Sequence, residues 1–256
     1  MLDSHFHLFH MKKLEMPYMD LIKHSFDEGL VYALDIGINA DNFEDRIKTA
    51  AELKGLYTAH GYYPSQCNSD DLESELEYLE QTLINDNKAV ALGEIGLDFY
   101  HDYGSFELQA ELVKRQINIA NRLNLPVIIH SRNAEAETLK LLDENRVDRA
   151  GIIHCYSYSP ETAQQFIDLG YNISFAGNVT YKNAGVIKES AAAVPLDSLL
   201  IETDAPYLSP QMVRGKRNHP GHIGYTYSCI AELRGIPLIE LIAAVKTNFE
   251  TLFRIS

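Results

Sequence analysis

No stretch of the 256-residue sequence is rich in proline, glycine or serine, and no long block of like charge or internal repeat interrupts it. Linkers are therefore absent, and one domain spanning 1–256 is expected. No apolar run approaches the roughly 20 residues that cross a bilayer, which excludes a membrane-spanning helix and leaves no membrane partner to expect. Cysteine is scarce. Cys67, Cys155 and Cys229 lie far apart and form no Cys-x-x-Cys pair, so neither a disulfide frame nor a zinc knuckle is expected. Reduced thiols and a cytoplasmic location are the corresponding expectation. Met1-Leu2-Asp3-Ser4-His5 lacks the basic-then-apolar order of a signal peptide. Basic residues are outnumbered, 22 Lys plus Arg against 36 Asp plus Glu for a net charge of −14. That balance argues against coating nucleic acid by bulk attraction, but leaves room for a nucleic-acid substrate held by metal and a few local cations. With 46% hydrophobic and 23% charged residues, the chain is neither disordered nor fibrous.

What is present is a rhythm: a short apolar run, a polar turn, then an amphipathic segment. The apolar runs are 1–5, 31–37, 56–61, 89–93, 126–130, 151–154, 171–176 and 199–203. Eight strands alternating with helices imply a parallel sheet. An open doubly wound sheet fits the alternation but does not call for eight strands, so a TIM-like (β/α)8 barrel is expected. Between the runs, Leu72, Leu76, Leu79 and Leu83 keep helical spacing behind Asp70 and Asp71, with Glu73 placed as a loose capping box. Ser105 starts a longer helix with a stripe of Leu108, Leu112, Ile117, Ala120 and Leu123. Ser159-Pro160-Glu161 reads as an N-cap, a first-turn proline and a first-turn acid, and Gly170 ends that helix.

The ionisable residues fall at the C-terminal ends of the runs. His5 and His7 are two apart, on one face of an extended segment. Glu94, His130, His154 and Asp204 each close or follow a run. Alone, each has a plainer reading as a core histidine, a turn residue or a helix cap. Together they sit where a barrel brings all its strand ends to one mouth. Four imidazoles and two carboxylates exceed what one tetrahedral ion with an open position needs. They suit two divalent ions (Mg, Mn or Zn) bridged by a carboxylate. Glu202, two residues before Asp204, shares its face, as an outer partner of a ligand or as a plain buried hydrogen-bonding group. Cys155, next to His154 on a strand, is expected to face away from the metals, and His10, His24 and His101 are read as surface histidines.

Several strings carry a family resemblance: Asp3-Ser4-His5-Phe6-His7, Gly93-Glu94-Ile95-Gly96-Leu97-Asp98, His130-Ser131-Arg132, His154-Cys155-Tyr156-Ser157, Glu202-Thr203-Asp204-Ala205-Pro206 and Arg214-Gly215-Lys216-Arg217-Asn218. Together they resemble the TatD family of metal-dependent DNases, over essentially the whole chain. The resemblance implies a barrel hydrolase that cleaves phosphodiester bonds, often as a 3′→5′ exonuclease on single-stranded DNA. It implies that His5, His7 and Asp204 hold one ion, His130 and His154 the other, and that Glu94 bridges them. Glu94 stands where many binuclear barrel relatives use a carboxylated lysine.

The charges suggest a mechanism. Paired cations lower the pKa of a bound water, Asp204 orients it and takes its proton, and Arg132 and Arg217 oppose the charge developing on phosphoryl oxygens. The long loop 205–225 carries Arg214, Lys216 and Arg217 and reads as a phosphate contact, with Asn218 closing its motif. Tyr63 and other tyrosines after strands, among them Tyr100, Tyr156, Tyr158, Tyr181 and Tyr207, are candidates to stack on bases, two or three of them at most. Four departures at the expected mouth bear on substrate: Tyr158, Asn133 and His219 stand where the family has glycine, aspartate and glutamate, and the family's Gly-x-His-Pro is here Gly61-Tyr62-Tyr63-Pro64. Tyr63 donates a hydrogen bond but carries no positive charge, which keeps a second reading open, a metal-dependent ester or amide hydrolase such as a D-aminoacyl-tRNA deacylase. A barrel that only binds is disfavoured by six filled ligand positions. A monomer is expected.

Overall fold

The computed structural model describes residues 1–255. Its strands form one eight-stranded sheet in sequence order, every adjacent pair parallel. They are β1 Leu2–Phe6, β2 Tyr32–Ile36, β3 Leu56–His60, β4 Ala89–Asp98, β5 Val127–Arg132, β6 Gly151–Ile153, β7 Asn172–Phe175 and β8 Leu199–Ile201. The ring closes between β1 and the segment after β8: Asp204 N–H donates to the His5 carbonyl at 2.9 Å and His7 N–H to the Ala205 carbonyl at 2.7 Å. Every run expected as a strand is one, and the (β/α)8 barrel is the fold. The apolar runs are continuous rather than alternating because both faces of such a sheet are covered. Leu92, Ile128, Ile152, Ile173 and Leu200 are all essentially unexposed.

Ten α-helices lie among the described residues: α1 Leu8–Lys13, α2 Tyr18–Asp27, α3 Phe43–Ala51, α4 Leu72–Asn85, α5 Phe106–Leu123, α6 Glu135–Glu144, α7 Pro160–Asp168, α8 Gly185–Ala193, α9 Ile223–Arg234 and α10 Leu238–Phe253. None is long and apolar enough to cross a membrane. In α4 the leucine stripe packs as its spacing predicts, but the capping box does not form. Asp71 is the N-cap without a side-chain cap bond, and Glu73 instead pairs with Arg115 across to α5. Leu108 likewise leaves the expected α5 stripe and is 45% exposed. Its N–H is taken by the Ser105 cap, in the outer first turn of the helix.

The α7 cap does form. Ser159 Oγ accepts from Thr162 N–H at 3.3 Å, with Pro160 in the first turn. Ser159→Ala is expected to cost about 1 kcal/mol, a fall in Tm of roughly 2–4 °C for a chain of this size. Thermal unfolding checks it, and an unchanged Tm would show the cap to be idle.

Two register shifts shape the mouth of the barrel. One lies in β1 between Asp3 and Phe6, the other in β4 between Gly93 and Ile95. Each inserts an extra residue into a strand, and such bulges turn a side chain off the regular alternation. His5 and Glu94 are the residues so placed. Beyond the second bulge β4 continues to Asp98, five residues further than its apolar run, paired with β5 as far as Arg132. A glycine is required on that extension: a Cβ on Gly96, at φ +149°, would meet the His130 carbonyl oxygen at 1.9 Å.

Candidate metal centre

All six expected ligands meet at the C-terminal mouth of the barrel: five line a cavity of about 660 Å³, and His5 lies buried behind them. Glu94 is the hub. Its Oε1 lies 3.0 Å from His130 Nδ1 and 2.9 Å from His154 Nε2. Its Oε2 lies 3.5 Å from His5 Nε2 and 3.6 Å from His7 Nε2. Asp204 Oδ1 completes the second group, 3.4 Å from His7 Nε2 and 3.8 Å from His5 Nε2. The side chains therefore sort into His5–His7–Asp204 and Glu94–His130–His154, each with donor atoms close enough to share one ion.

The donor set fits divalent cations. His5 Nε2 and His7 Nε2 face each other at 3.2 Å with carboxylate oxygens on both sides. Imidazole and carboxylate donors converging at such spacing are what a borderline cation selects. Burial raises the Glu94 carboxyl, but the facing His154, His130 and His5 outweigh it and hold it well below the usual carboxylate range. Asp204 is likewise raised by burial and pulled below its ordinary value by His7, His5 and His154. Both stand ready as anions. Asp3, beneath them, has no such partner: burial pushes it up to about 8, against hydrogen bonds from Thr203.

The rings are held from behind. His7 Nδ1 meets the Ile36 carbonyl at 3.1 Å, and His154 Nδ1 meets Glu202 Oε1 at 3.3 Å. His130 Nε2 meets Asp98 Oδ2 at 3.2 Å. Asp98 was legible only as part of a motif. Its signal is spacing, because a residue four beyond Glu94 on one strand returns to the same side. It also accepts from Tyr63 O–H at 2.9 Å, pairs with His101 Nδ1 at 2.9 Å, and receives the backbone N–H groups of Tyr100 and His101.

Several expected roles change. Cys155 does not face away; it lines the cavity, because its φ of +47° breaks the strand alternation directly after His154. His10 and His101 also line the cavity, His10 half-buried beside the Tyr207 hydroxyl and His101 on Asp98 while still exposed, as expected of a surface histidine. Asn218 is not open to substrate. It is fully buried, its amide donates to the Thr203 and Tyr207 carbonyls at 2.9 and 2.7 Å, and its oxygen accepts from His219 N–H. It ties the long loop to the end of β8. Arg217 is outside the cavity wall, because the loop turns it onto the Leu14 carbonyl at the end of α1. Arg132 does line the cavity, its guanidinium 3.9 Å from the Tyr100 ring centre. Of the tyrosines, Tyr63 and Tyr207 reach the cavity together with Tyr103, which carried no sequence signal. Tyr156 is a core residue bonded to the Ser159 carbonyl.

A parallel barrel with four imidazoles and two carboxylates at its C-terminal mouth defines the class as a metal-dependent hydrolase. Comparison with known proteins gives the family. The family model described as TatD related DNase matches residues 2–254. The chain is 33% identical over 255 residues to the metal-dependent hydrolase YabD of Bacillus subtilis, covering 99% of both. It is 31% identical over 244 residues to a Shigella flexneri protein named 3′-5′ ssDNA/RNA exonuclease TatD, covering 93% of each. The crystal structure of the TatD homologue YjjV from Escherichia coli K12 matches at a TM-score of 0.91 and 32% identity, over 100% of this chain and 98% of that one. The chain belongs to the TatD family of metal-dependent hydrolases.

Proposed function

We propose that this chain hydrolyses phosphodiester bonds of DNA with two divalent cations, removing nucleotides from the 3′ end of single strands. The carrying observation is the split of Glu94, one oxygen toward His130 and His154 and the other toward His5 and His7. A carboxylate so placed would serve both groups of ligands at once, one oxygen to each. His5, His7 and Asp204 would hold one ion and His130 and His154 the other, and bound cations would supply Lewis acidity and a water acidic near neutral pH.

Asp204, kept ionised beside His7, accepts the proton of the attacking water. Arg132 in the cavity wall opposes charge developing on the phosphoryl oxygens. Tyr63 shapes the mouth through its ring, since its hydroxyl is committed to Asp98 and burial, with the Glu94 and Asp98 charges, pushes it away from ionisation. The name of the Shigella flexneri relative supports a nucleic-acid strand as substrate. A cytoplasmic monomer is part of this reading, and the free thiols of Cys67, Cys155 and Cys229 suit a reducing compartment.

The test is turnover of single-stranded DNA labelled at either end, with an aminoacyl ester run alongside. A ladder of shortened 5′-labelled strands and early release of label from the 3′ end are expected. Intact DNA together with ester cleavage would replace this reading with that of an ester hydrolase.

A further inference from the structure

We propose that Glu202 is a positioning residue common to both metal clusters: one buried carboxylate that sets the ring tautomer of His5 in one cluster and of His154 in the other. This role presupposes the proposed pair of metal ions.

An imidazole that ligates through one nitrogen must carry its proton on the other, and that N–H needs an acceptor. Three of the four rings have visible ones. His7 points Nε2 at Asp204 and Glu94 and sets Nδ1 against the Ile36 carbonyl. His130 is turned the other way, Nδ1 toward Glu94 and Nε2 toward Asp98. His154 points Nε2 at Glu94 and Nδ1 at Glu202 Oε1.

His5 is the exception. Its Nε2 faces Glu94, Asp204 and His7, while its Nδ1 is buried without a partner. Glu202 Oε2 is also buried without a partner. The two belong together. Donor atoms of His5, His154 and Glu202 all lie within 4.8 Å of one another, and the His5 and His154 rings stack at 4.0 Å with 8° between their planes. Stacking keeps both rings beside one carboxylate. Glu202 is itself fixed: it is wholly buried, its Oε1 accepts Cys155 N–H at 2.9 Å, and its own N–H donates to the Phe175 carbonyl at 3.0 Å. A rigid acceptor shared by two stacked rings commits both to a proton on Nδ1 and a lone pair on Nε2.

Glu202→Gln separates this role from packing, because it keeps the shape. The amide oxygen can still take Cys155 N–H and His154 Nδ1–H. The amide NH2 then faces His5 and favours the tautomer protonated at Nε2, which cannot ligate. Titration of metal-stripped protein with Mn²⁺ by calorimetry is expected to show two ions per wild-type chain. For Glu202→Gln the affinity of the His5 cluster should fall about 10- to 100-fold, the scale of losing an outer partner of a metal ligand. Asp98→Asn should weaken only the His130 cluster. The tautomer is read directly by long-range ¹⁵N–¹H NMR of histidine-labelled, metal-free wild type, with Nδ1 protonated on both His5 and His154. Wild-type affinity for both ions in Glu202→Gln, or a His5 ring protonated at Nε2 in wild type, would overturn the role of Glu202. Fewer than two ions bound by wild type would instead overturn the two-cluster reading.

Discussion

Replacing Glu94 with alanine is expected to lower hydrolysis by at least about 10³-fold, the scale of several kcal/mol of lost charge stabilisation. Glu94 alone among the described residues sets a carboxylate oxygen within 3.6 Å of ring nitrogens on all four histidines. His130 and His154 meet its Oε1 at 3.0 and 2.9 Å, while His5 and His7 meet its Oε2 at 3.5 and 3.6 Å. Without it each group loses a negative donor, and the two lose the link that sets their separation. The effect belongs in kcat rather than KM, because the cavity wall that receives substrate, including Arg132, Tyr63 and Tyr207, is unchanged. The check is steady-state kinetics at saturating metal, with circular dichroism to show an intact fold. Activity within tenfold of wild type would remove Glu94 from the reaction.

Arg46→Met should cost about 3–5 kcal/mol of stability, the penalty for stripping one partner from a buried ion pair. Arg46 sits on α3 and is wholly buried, as is its partner Asp35 on β2. Its Nε donates to Asp35 Oδ2 at 2.7 Å, and Nη2 donates to the Asp35 and Ala59 carbonyls at 2.7 and 3.0 Å. Its Nη1 meets His60 Nδ1 at 3.0 Å, and His60 Nε2 passes the chain on to Asp86 at 2.8 Å. Methionine replaces the volume but takes the charged donor from Asp35 Oδ2 and one hydrogen bond each from the Asp35 carbonyl, the Ala59 carbonyl and His60 Nδ1. Arg46→Lys keeps the charge and loses the fork, so it should recover less than half of the loss. Denaturant unfolding measures both. A loss under about 1 kcal/mol for Arg46→Met would mean the network contributes little.

The network also bears on the site. Asp35 Oδ1 accepts Leu8 N–H at 2.9 Å, directly after His7, and the Gly37 carbonyl at the end of β2 accepts Glu94 N–H at 3.1 Å. β2 supplies no ligand candidate, yet its end holds the backbone at or beside two.

The parts legible in the sequence were those set by local pattern. Eight apolar runs gave eight strands because a sheet covered on both faces needs unbroken apolar stretches. The meeting of the six ligand candidates was legible because barrel topology alone sends every strand end to one mouth. What the pattern could not reveal depends on backbone detail. Strand alternation put Cys155 on the far side, and a left-handed φ at that residue turned it inward. The β4 run broke at Gly93 in the pattern, whereas pairing with β5 carries the strand through a bulge to Asp98. Asn218 and Arg217 shared a polar motif beside the mouth, but the loop's path commits the first to the Thr203 and Tyr207 carbonyls and the second to the Leu14 carbonyl. Arg46 lay in a helix with no motif at all, and only its burial against Asp35 marks it.

The most direct test of the proposed binuclear centre is activity against bound metal. Chelator-stripped protein is titrated with Mn²⁺, and single-stranded DNA hydrolysis is followed at each point. Negligible activity through the first equivalent and a steep rise with the second are expected, since the proposed reaction would use a cation in each histidine group. Full activity at one equivalent, or activity surviving metal removal, would contradict it.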